Sequence, residues 1–244
     1  MPGESTPIPP IARLRIEARL RRRHQLITES IDVAGRTFRF TRVADPKVVL
    51  DSVIRDEAAG KAPRMPYWAE LWESAIAIGE RLLHQATGDV GERKTGPASA
   101  EQSVLDLGCG MGFSGMVAAA AGHRVLFADI EPEALLFAEL NAWPWRQRCR
   151  FRRLNWQTDR LDERFGLILG ADVLYERGQR EHLEPFWRHH LLPGGRVLLG
   201  EPGRQSGSEF ADWIRARGWI LARSEIRLGA QRKTIRLFEL TPAP

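Results

Sequence analysis

Cysteine, lysine and long apolar runs are all scarce in this sequence, and each scarcity removes a class of protein. Two cysteines in 244 residues, Cys109 and Cys149, stand too far apart to suggest a disulfide framework. No apolar run approaches the roughly 20 residues that span a bilayer, and Met-Pro-Gly-Glu-Ser-Thr-Pro at the start has no apolar signal region. The expected compartment is therefore the cytoplasm, with no membrane partner. The six histidines show no metal-ligand spacing. His189 and His190 are neighbours on an expected helix and point in different directions, so they read as structural, as do His182 and His123, and no metal is expected. Lysine occurs only at positions 47, 61, 94 and 233, so the net charge of +5 rests on arginine. The densest basic run, Arg13 to Arg23, carries Leu14, Ile16 and Leu20 and is expected to be helical. Such a helix can be an arm for nucleic acid or an acidic protein. The plainer reading, adopted here, is a solvated helix in an arginine-rich chain, because a modest excess of charge does not establish a nucleic-acid partner.

What is present is ordinary globular composition, 43% hydrophobic, enough for a sizeable core. Residues 1–10 are proline-rich and expected to be disordered. Ile27–Val33 and Thr37–Val43 flank Ala34-Gly35-Arg36 as a β-hairpin. Asp45-Pro46 starts a helix whose apolar face is Val48, Val49, Val53 and Ile54. An aromatic stretch, Met65 to Trp72, leads into a helix from Glu73 to about His84, and the polar residues 87–102 form a loop. From there strands are expected at 103–107, 124–129, 148–153, 165–171 and 195–200, with helices near 113–121, 132–142, 179–190 and 207–217 between them. Strand–helix alternation implies a parallel sheet with helices on both faces. Trp219–Leu228 and Thr234–Leu240 then read as a strand–turn–strand with no helix. The expected fold is α/β and doubly wound, a mostly parallel seven-stranded sheet ending in an antiparallel hairpin. The expected division is an N-terminal extension over 1–64 and a catalytic domain over 65–244.

The first core strand runs into Asp106-Leu-Gly-Cys-Gly-Met-Gly112, a turn dense in glycine, and Asp129 ends the next strand. Glycine lets backbone approach a ligand closely, and the helix that follows points free N–H groups over the turn. Asp129 lies about 20 residues beyond Gly108, the distance at which a second-strand carboxylate can receive two ribose hydroxyls. The turn therefore reads as a nucleoside-cofactor site. A dinucleotide fingerprint would require glycine where Phe113 stands. Cys109 fits the turn as a small structural residue. At the end of the third strand, Asn155 and Trp156 could read an adenine edge and face; the alternative is that Asn155 makes a turn and Trp156 packs.

The glycines at 108, 110 and 112, with Asp106 ahead of them, resemble motif I of the class I S-adenosylmethionine (SAM) methyltransferases. That resemblance implies SAM as cofactor, with Asp106, Gly108, Gly110 and Gly112 at its amino-acid end, beside Asp129, Asn155, Trp156 and Trp72 as further cofactor contacts. The fourth strand ends in Asp172-Val-Leu-Tyr175, without the prolines of the DNA and glutamine methyltransferases. This segment resembles the Asp-x-x-Tyr motif of the seven-β-strand protein lysine methyltransferases. Pro66-Tyr-Trp-Ala-Glu-Leu-Trp72 and Glu201-Pro-Gly-Arg204 extend the likeness toward the branch that includes the electron-transfer-flavoprotein β-subunit lysine methyltransferases, across about residues 65 to 240. Glu201 departs from the aspartate of that branch, and the arginine-rich helix is not covered by the likeness. The resemblance implies a protein lysine N-methyltransferase with a protein substrate. A small-molecule amine, a ribosomal protein and RNA are alternative acceptors, and a catalytically silent SAM-binding protein is the remaining class.

The chemistry asks for few groups. A lysine must lose a proton before it attacks, since its ordinary pKa is about 10.4. Asp172 would bind and orient the ammonium, although its charge alone holds the proton on; the alternative is a helix cap. Tyr175, Trp72 and Trp68 are candidates for an aromatic wall and for cation–π contact with ammonium or sulfonium; packing is the alternative for both tryptophans. Asp172 and Tyr175 are the expected catalytic residues. Glu201 and Arg204 read as a turn with Pro202-Gly203.

Overall fold

The computed structural model describes residues 10–60, 64–87, 102–174, 177–229 and 233–244. The start expected to be disordered and the expected polar loop fall, apart from their edges, outside these residues.

The chain opens with α1 (Ile11–Arg21), the hairpin β1 (Leu26–Val33) and β2 (Arg36–Val43), and α2 (Pro46–Ala58). On α1, Leu20 is fully buried and Ile16, one turn earlier, is half-buried, whereas Leu14 is exposed. Residues four apart share a helix face and residues two apart do not, so Ile16 and Leu20 face the core together while Leu14 points away from it. The Asp45 side chain caps α2 by accepting from Lys47 N–H at 2.9 Å, with Pro46 at the first helical position. The apolar face expected on α2 does not become core. No residue of this helix is buried, and Val48 and Ile54 are 61% and 52% exposed. Val49 alone packs half-buried against the core beneath the hairpin.

After α3 (Glu73–Thr87) come β3 (Ser103–Leu107), α4 (Phe113–Ala120), β4 (Arg124–Asp129), α5 (Pro132–Asn141) and β5 (Cys149–Arg153). They are followed by β6 (Phe165–Ala171), α6 (Arg180–His190), β7 (Leu191–Glu201), α7 (Gln205–Arg215), β8 (Trp219–Leu228) and β9 (Lys233–Pro242). The seven-stranded sheet runs β5-β4-β3-β6-β7-β9-β8. Its first five strands are parallel, and β9 pairs antiparallel with both β7 and β8. The expected sheet and its closing hairpin are thus present.

Side chains alternate across each strand, and the core divides accordingly. Leu105, Leu107, Ile168 and Leu199 pack with Leu183, Phe186 and Trp187 of α6 and Phe210 of α7. Val104, Phe127, Leu167 and Leu198 face α3, α4 and α5 on the other side. Outside that second layer lies a further core joining Phe38 and Phe40 of the hairpin to Phe113, Met116 and Phe137. Burial of such aromatic and aliphatic side chains stabilises by about 1.5–3 kcal/mol each, so the hairpin is bound into the main fold. His190 is held likewise: its Nε2 accepts from Leu161 N–H at 2.9 Å and its Nδ1 lies 2.7 Å from the Phe186 carbonyl. The strand order reverses between β4-β3 and β3-β6, and ligands of open α/β sheets bind beyond the strand ends at that point.

Candidate active site

The turn after β3 is shaped from beneath as much as from above. Gly108 N–H and Cys109 N–H both donate to the Ala128 carbonyl, at 2.8 and 3.0 Å, which folds the turn over the end of β4. Gly112 sits at φ 85°, and a Cβ there would lie 2.7 Å from the Ala138 Cβ. Both the left-handed conformation and the close approach of α5 require glycine at this position. Burial pushes the Cys109 thiol well above its ordinary pKa, which suits a packing residue and not a nucleophile.

Asp106 takes a different place from the one its motif suggested. Strand alternation turns it under α4, where it is 1% exposed. One carboxylate oxygen accepts from Ser114 Oγ at 3.0 Å and the other from Gly115 N–H at 2.9 Å. It does not line the cavity. Asp106 therefore satisfies the first turn of α4 and fixes the glycine turn from below. Burial raises its pKa to about 7, against the lowering effect of those two hydrogen bonds.

Asp129, in contrast, lines the cavity. Its two oxygens accept from Gly110 N–H and Glu131 N–H, each at 2.9 Å. Each carboxylate oxygen has acceptor capacity beyond one such bond. Burial lifts its pKa to about 6, while the backbone donors pull it down. Trp156 also lines the cavity; its ring packs over Gly108, and its Nε1–H donates to Gln179 Oε1 at 3.0 Å. Asn155 does not line it. Its side-chain oxygen accepts from Gln157 N–H at 3.1 Å and closes a turn. The turn alternative for Asn155 is the one the fold adopts, because the chain must leave β5 sharply there.

Across the switch point, Asp172 follows β6 at φ 57° and is 7% exposed. A non-glycine residue rarely takes this left-handed conformation, and aspartate is among those that do. Its two oxygens meet the two terminal nitrogens of Arg204, at 2.5 and 3.2 Å. Burial pushes the Asp172 pKa up, and the guanidinium beside it pulls the other way. The Arg204 guanidinium also lies 5.7 Å from the Trp72 ring, and the Trp72 Nε1–H donates to the Tyr67 carbonyl at 3.0 Å. Glu201 does form the expected turn, accepting from Gly203 N–H and Arg204 N–H at 2.9 Å each. It is buried and pairs with Arg236 of β9 at 3.3 Å. Tyr175 lies outside the described residues.

The glycine turn, Asp129, Trp156, Asp172, Arg204, Trp68 and Trp72 line one cavity of about 580 Å³, within the range of small-molecule sites. Several contributors gave no local signal in the sequence. Phe40 reaches the cavity from the hairpin, and the Glu131–Arg64 pair closes another side at 3.2 Å. Asn141 of α5 stitches the hairpin to the turn. Its amide donates to the Thr41 and Met111 carbonyls at 3.0 and 2.9 Å, and its oxygen accepts from Thr41 N–H at 2.8 Å. Its place beside a turn 30 residues earlier in the chain could be found only in three dimensions. The residues present fit SAM: a turn in which Gly108, Gly110 and Gly112 present no Cβ, a carboxylate, Asp129, with spare acceptor capacity, and aromatic side chains lining the same cavity.

The reversed hairpin on a parallel sheet, with this turn at its switch point, defines a Rossmann-like methyltransferase fold. Comparison with solved structures agrees. The N-methyltransferase NodS from Bradyrhizobium japonicum WM9, solved with S-adenosyl-l-homocysteine, superposes with a TM-score of 0.57 at 17% identity, over 80% of this chain and 98% of that one. Residues 67–210 match the family described as lysine methyltransferase, and the chain belongs to that family. Among curated relatives, the electron transfer flavoprotein beta subunit lysine methyltransferase of Danio rerio is 30% identical over 156 residues, 60% of this chain and 53% of the relative. The EEF1A lysine methyltransferase 3 of Mus musculus is 28% identical over 152 residues, 60% of this chain and 61% of the relative. The chain spans about half the length of the electron-transfer-flavoprotein relatives it matches.

Proposed function

We propose that this protein is a SAM-dependent protein lysine N-methyltransferase. The observation that carries the reading is one cavity with a glycine turn and Asp129 on one side and, on the other, a carboxylate, Asp172, whose partner Arg204 is backed by Trp72. Trp68 lines the same cavity, but its ring packs on His24 and Phe137. SAM, when bound, supplies an electrophilic methyl group on a sulfonium. Gly108, Gly110, Gly112, Asp129 and Trp156 are the residues we assign to hold it. Asp106 supports them from beneath the turn.

On the acceptor side, Asp172 orients an amine, and the Trp72 ring excludes water while accepting the positive charge of an ammonium on its face. Desolvation there disfavours the charged amine and helps it lose its proton. We assign no general base; the proton leaves to solvent. A protein acceptor is supported by the family and by relatives named as protein lysine methyltransferases. We further propose that residues 1–64 serve as an extension to a methyltransferase domain over 65–244. The hairpin–α3–α4–α5 core supports treating that extension as part of the site's scaffold. The cytoplasm is the compartment we propose, on the two free thiols. Among the described residues, no helix is long and apolar enough to cross a membrane.

The test is labelling of a host lysate with methyl-labelled SAM, followed by mass spectrometry of the labelled band. Label on a lysine side chain is expected. Label confined to small molecules or to RNA would overturn the lysine reading.

A further inference from the structure

Asp172 presents a chemical difficulty as an amine-binding group. A bare carboxylate beside a lysine favours the ammonium, which cannot attack a methyl group. In the structure, however, the carboxylate is not bare: both oxygens are bridged by the guanidinium of Arg204, 32 residues away. We propose that Arg204 is a positioning residue of the acceptor pocket, which neutralises Asp172 so that an incoming lysine can be oriented by the carboxylate and still lose its proton. This inference rests on the lysine reading of the site.

The surrounding charges support it. Asp172 has two other carboxylates near enough to act on it, Glu201 and Glu73. Each has its own cation, Arg236 at 3.3 Å and Lys233 at 2.6 Å respectively. Of the remaining charged groups lining the cavity, Glu131 is paired with Arg64, Asp129 is held by two backbone N–H groups, and Glu70 is solvent-exposed. Arg204 is thus the cation that balances Asp172 itself.

Arginine suits this task better than lysine would, because it stays charged at every pH of interest and its fork spans both carboxylate oxygens. Two further contacts hold it in place. Glu201 accepts the Arg204 backbone N–H, and the Trp72 ring backs the guanidinium at 5.7 Å. The side chain is partly exposed at the cavity rim, so water is at hand to take the proton: the ammonium N–H bond breaks, its electron pair stays on nitrogen, and the proton passes to water. An amine entering next to a bridged Asp172 meets a nearly neutral pair whose carboxylate keeps acceptor capacity beyond its two bonds to Arg204. An amine entering after Arg204 is removed meets an unbalanced negative charge, and its proton is held more tightly.

The experiment is the pH profile of kcat/KM for methyl transfer to the purified lysate protein whose lysine takes up label in the experiment above, between about pH 7 and pH 10, in wild type, Arg204→Gln and Arg204→Lys. SAM affinity is measured by calorimetry alongside. Arg204→Gln is expected to move the rising limb upward by about one pH unit, a roughly tenfold lower rate on that limb, and to approach wild-type rate at high pH. Arg204→Lys should keep the limb near its wild-type position, with SAM affinity unchanged in both. A uniform loss at every pH in Arg204→Gln, or a limb that stays where it is, overturns the inference, since either marks Arg204 as structural or idle. A wild-type protein that labels no lysine at all sinks the lysine reading itself, which is a separate and earlier outcome.

Discussion

On the glycine-turn side of the cavity, the hydrogen bonds of Asp106 and Asp129 stay within a stretch from Asp106 to Glu131, and all but the one from Ser114 Oγ come from backbone N–H groups. On the Asp172 side they run from side chain to side chain between segments 32 residues apart, backed by an aromatic ring from a third segment. The first arrangement depends on conformation: a Cβ at Gly112 breaks it. The second depends on charge: one neutral replacement breaks it while the backbone stays as it was. A donor site that must present the same face to the same molecule is suited to the rigid solution. Under the proposed function, an acceptor site that must admit and release a titrating amine would be suited to the adjustable one.

The contrast can be broken or sharpened by substitution. The largest effect is expected at Gly112→Ala, where a left-handed backbone and a 2.7 Å approach to Ala138 together cost about 2–5 kcal/mol of stability. Chemical denaturation would read it, and an unaltered midpoint would remove the claim that the donor side is conformationally determined. Asp172→Ala should cut methyl transfer about a hundredfold through lost positioning with SAM affinity nearly intact; a parallel fall in both would erase the distinction between the two sides. Asp129→Ala should weaken SAM by about 1.5–3 kcal/mol, the scale of hydrogen bonds to a charged group, as measured by calorimetry. Because the pKa of Asp129 stands at about 6, the wild-type affinity should also decline as the pH falls through that value, where protonation removes acceptor capacity. Flat affinity from pH 8 to about pH 5 would count against the ribose assignment.

The remaining effect is a pH dependence and concerns Asp106. Its folded pKa of about 7 is raised above the ordinary 3.8 by burial, so the penalty of keeping it ionised grows as pH rises through that interval and is absent below it. Asn at 106 keeps an acceptor for Gly115 N–H and a donor for Ser114. The melting temperature of Asp106→Asn relative to wild type should therefore improve by about 10 °C on going from acidic to slightly alkaline pH. A constant offset across pH would show that Asp106 is not the titrating group.

Much of this protein was legible from local pattern. The alternation of strands and helices, the antiparallel tail and the glycine turn are short-range signals, written in hydrophobic period and in residues that alone tolerate special backbone angles. Asp129 was legible because its distance from the turn is set by one crossover. The misplacements share a cause. Asp106 was read from motif spacing, but strand alternation turned it beneath α4. Asn155 was read from its position at a strand end, but its oxygen closes the local turn. The apolar stripe on α2 was read from periodicity, but periodicity says which residues share a face and not whether anything covers it.

By itself, then, the sequence determined the fold class, the glycine turn and the family likeness, because backbone conformational limits and hydrophobic period act over a few residues and are recorded in each segment. Only the tertiary structure decided that Arg204 bridges Asp172, that Asn141 ties the hairpin to the turn, and that Asp106 lies below the cavity while Asp129 opens into it. Charge pairing and burial depend on distance in space, and positions 172 and 204 acquire theirs only when β6 and β7 lie side by side in the sheet.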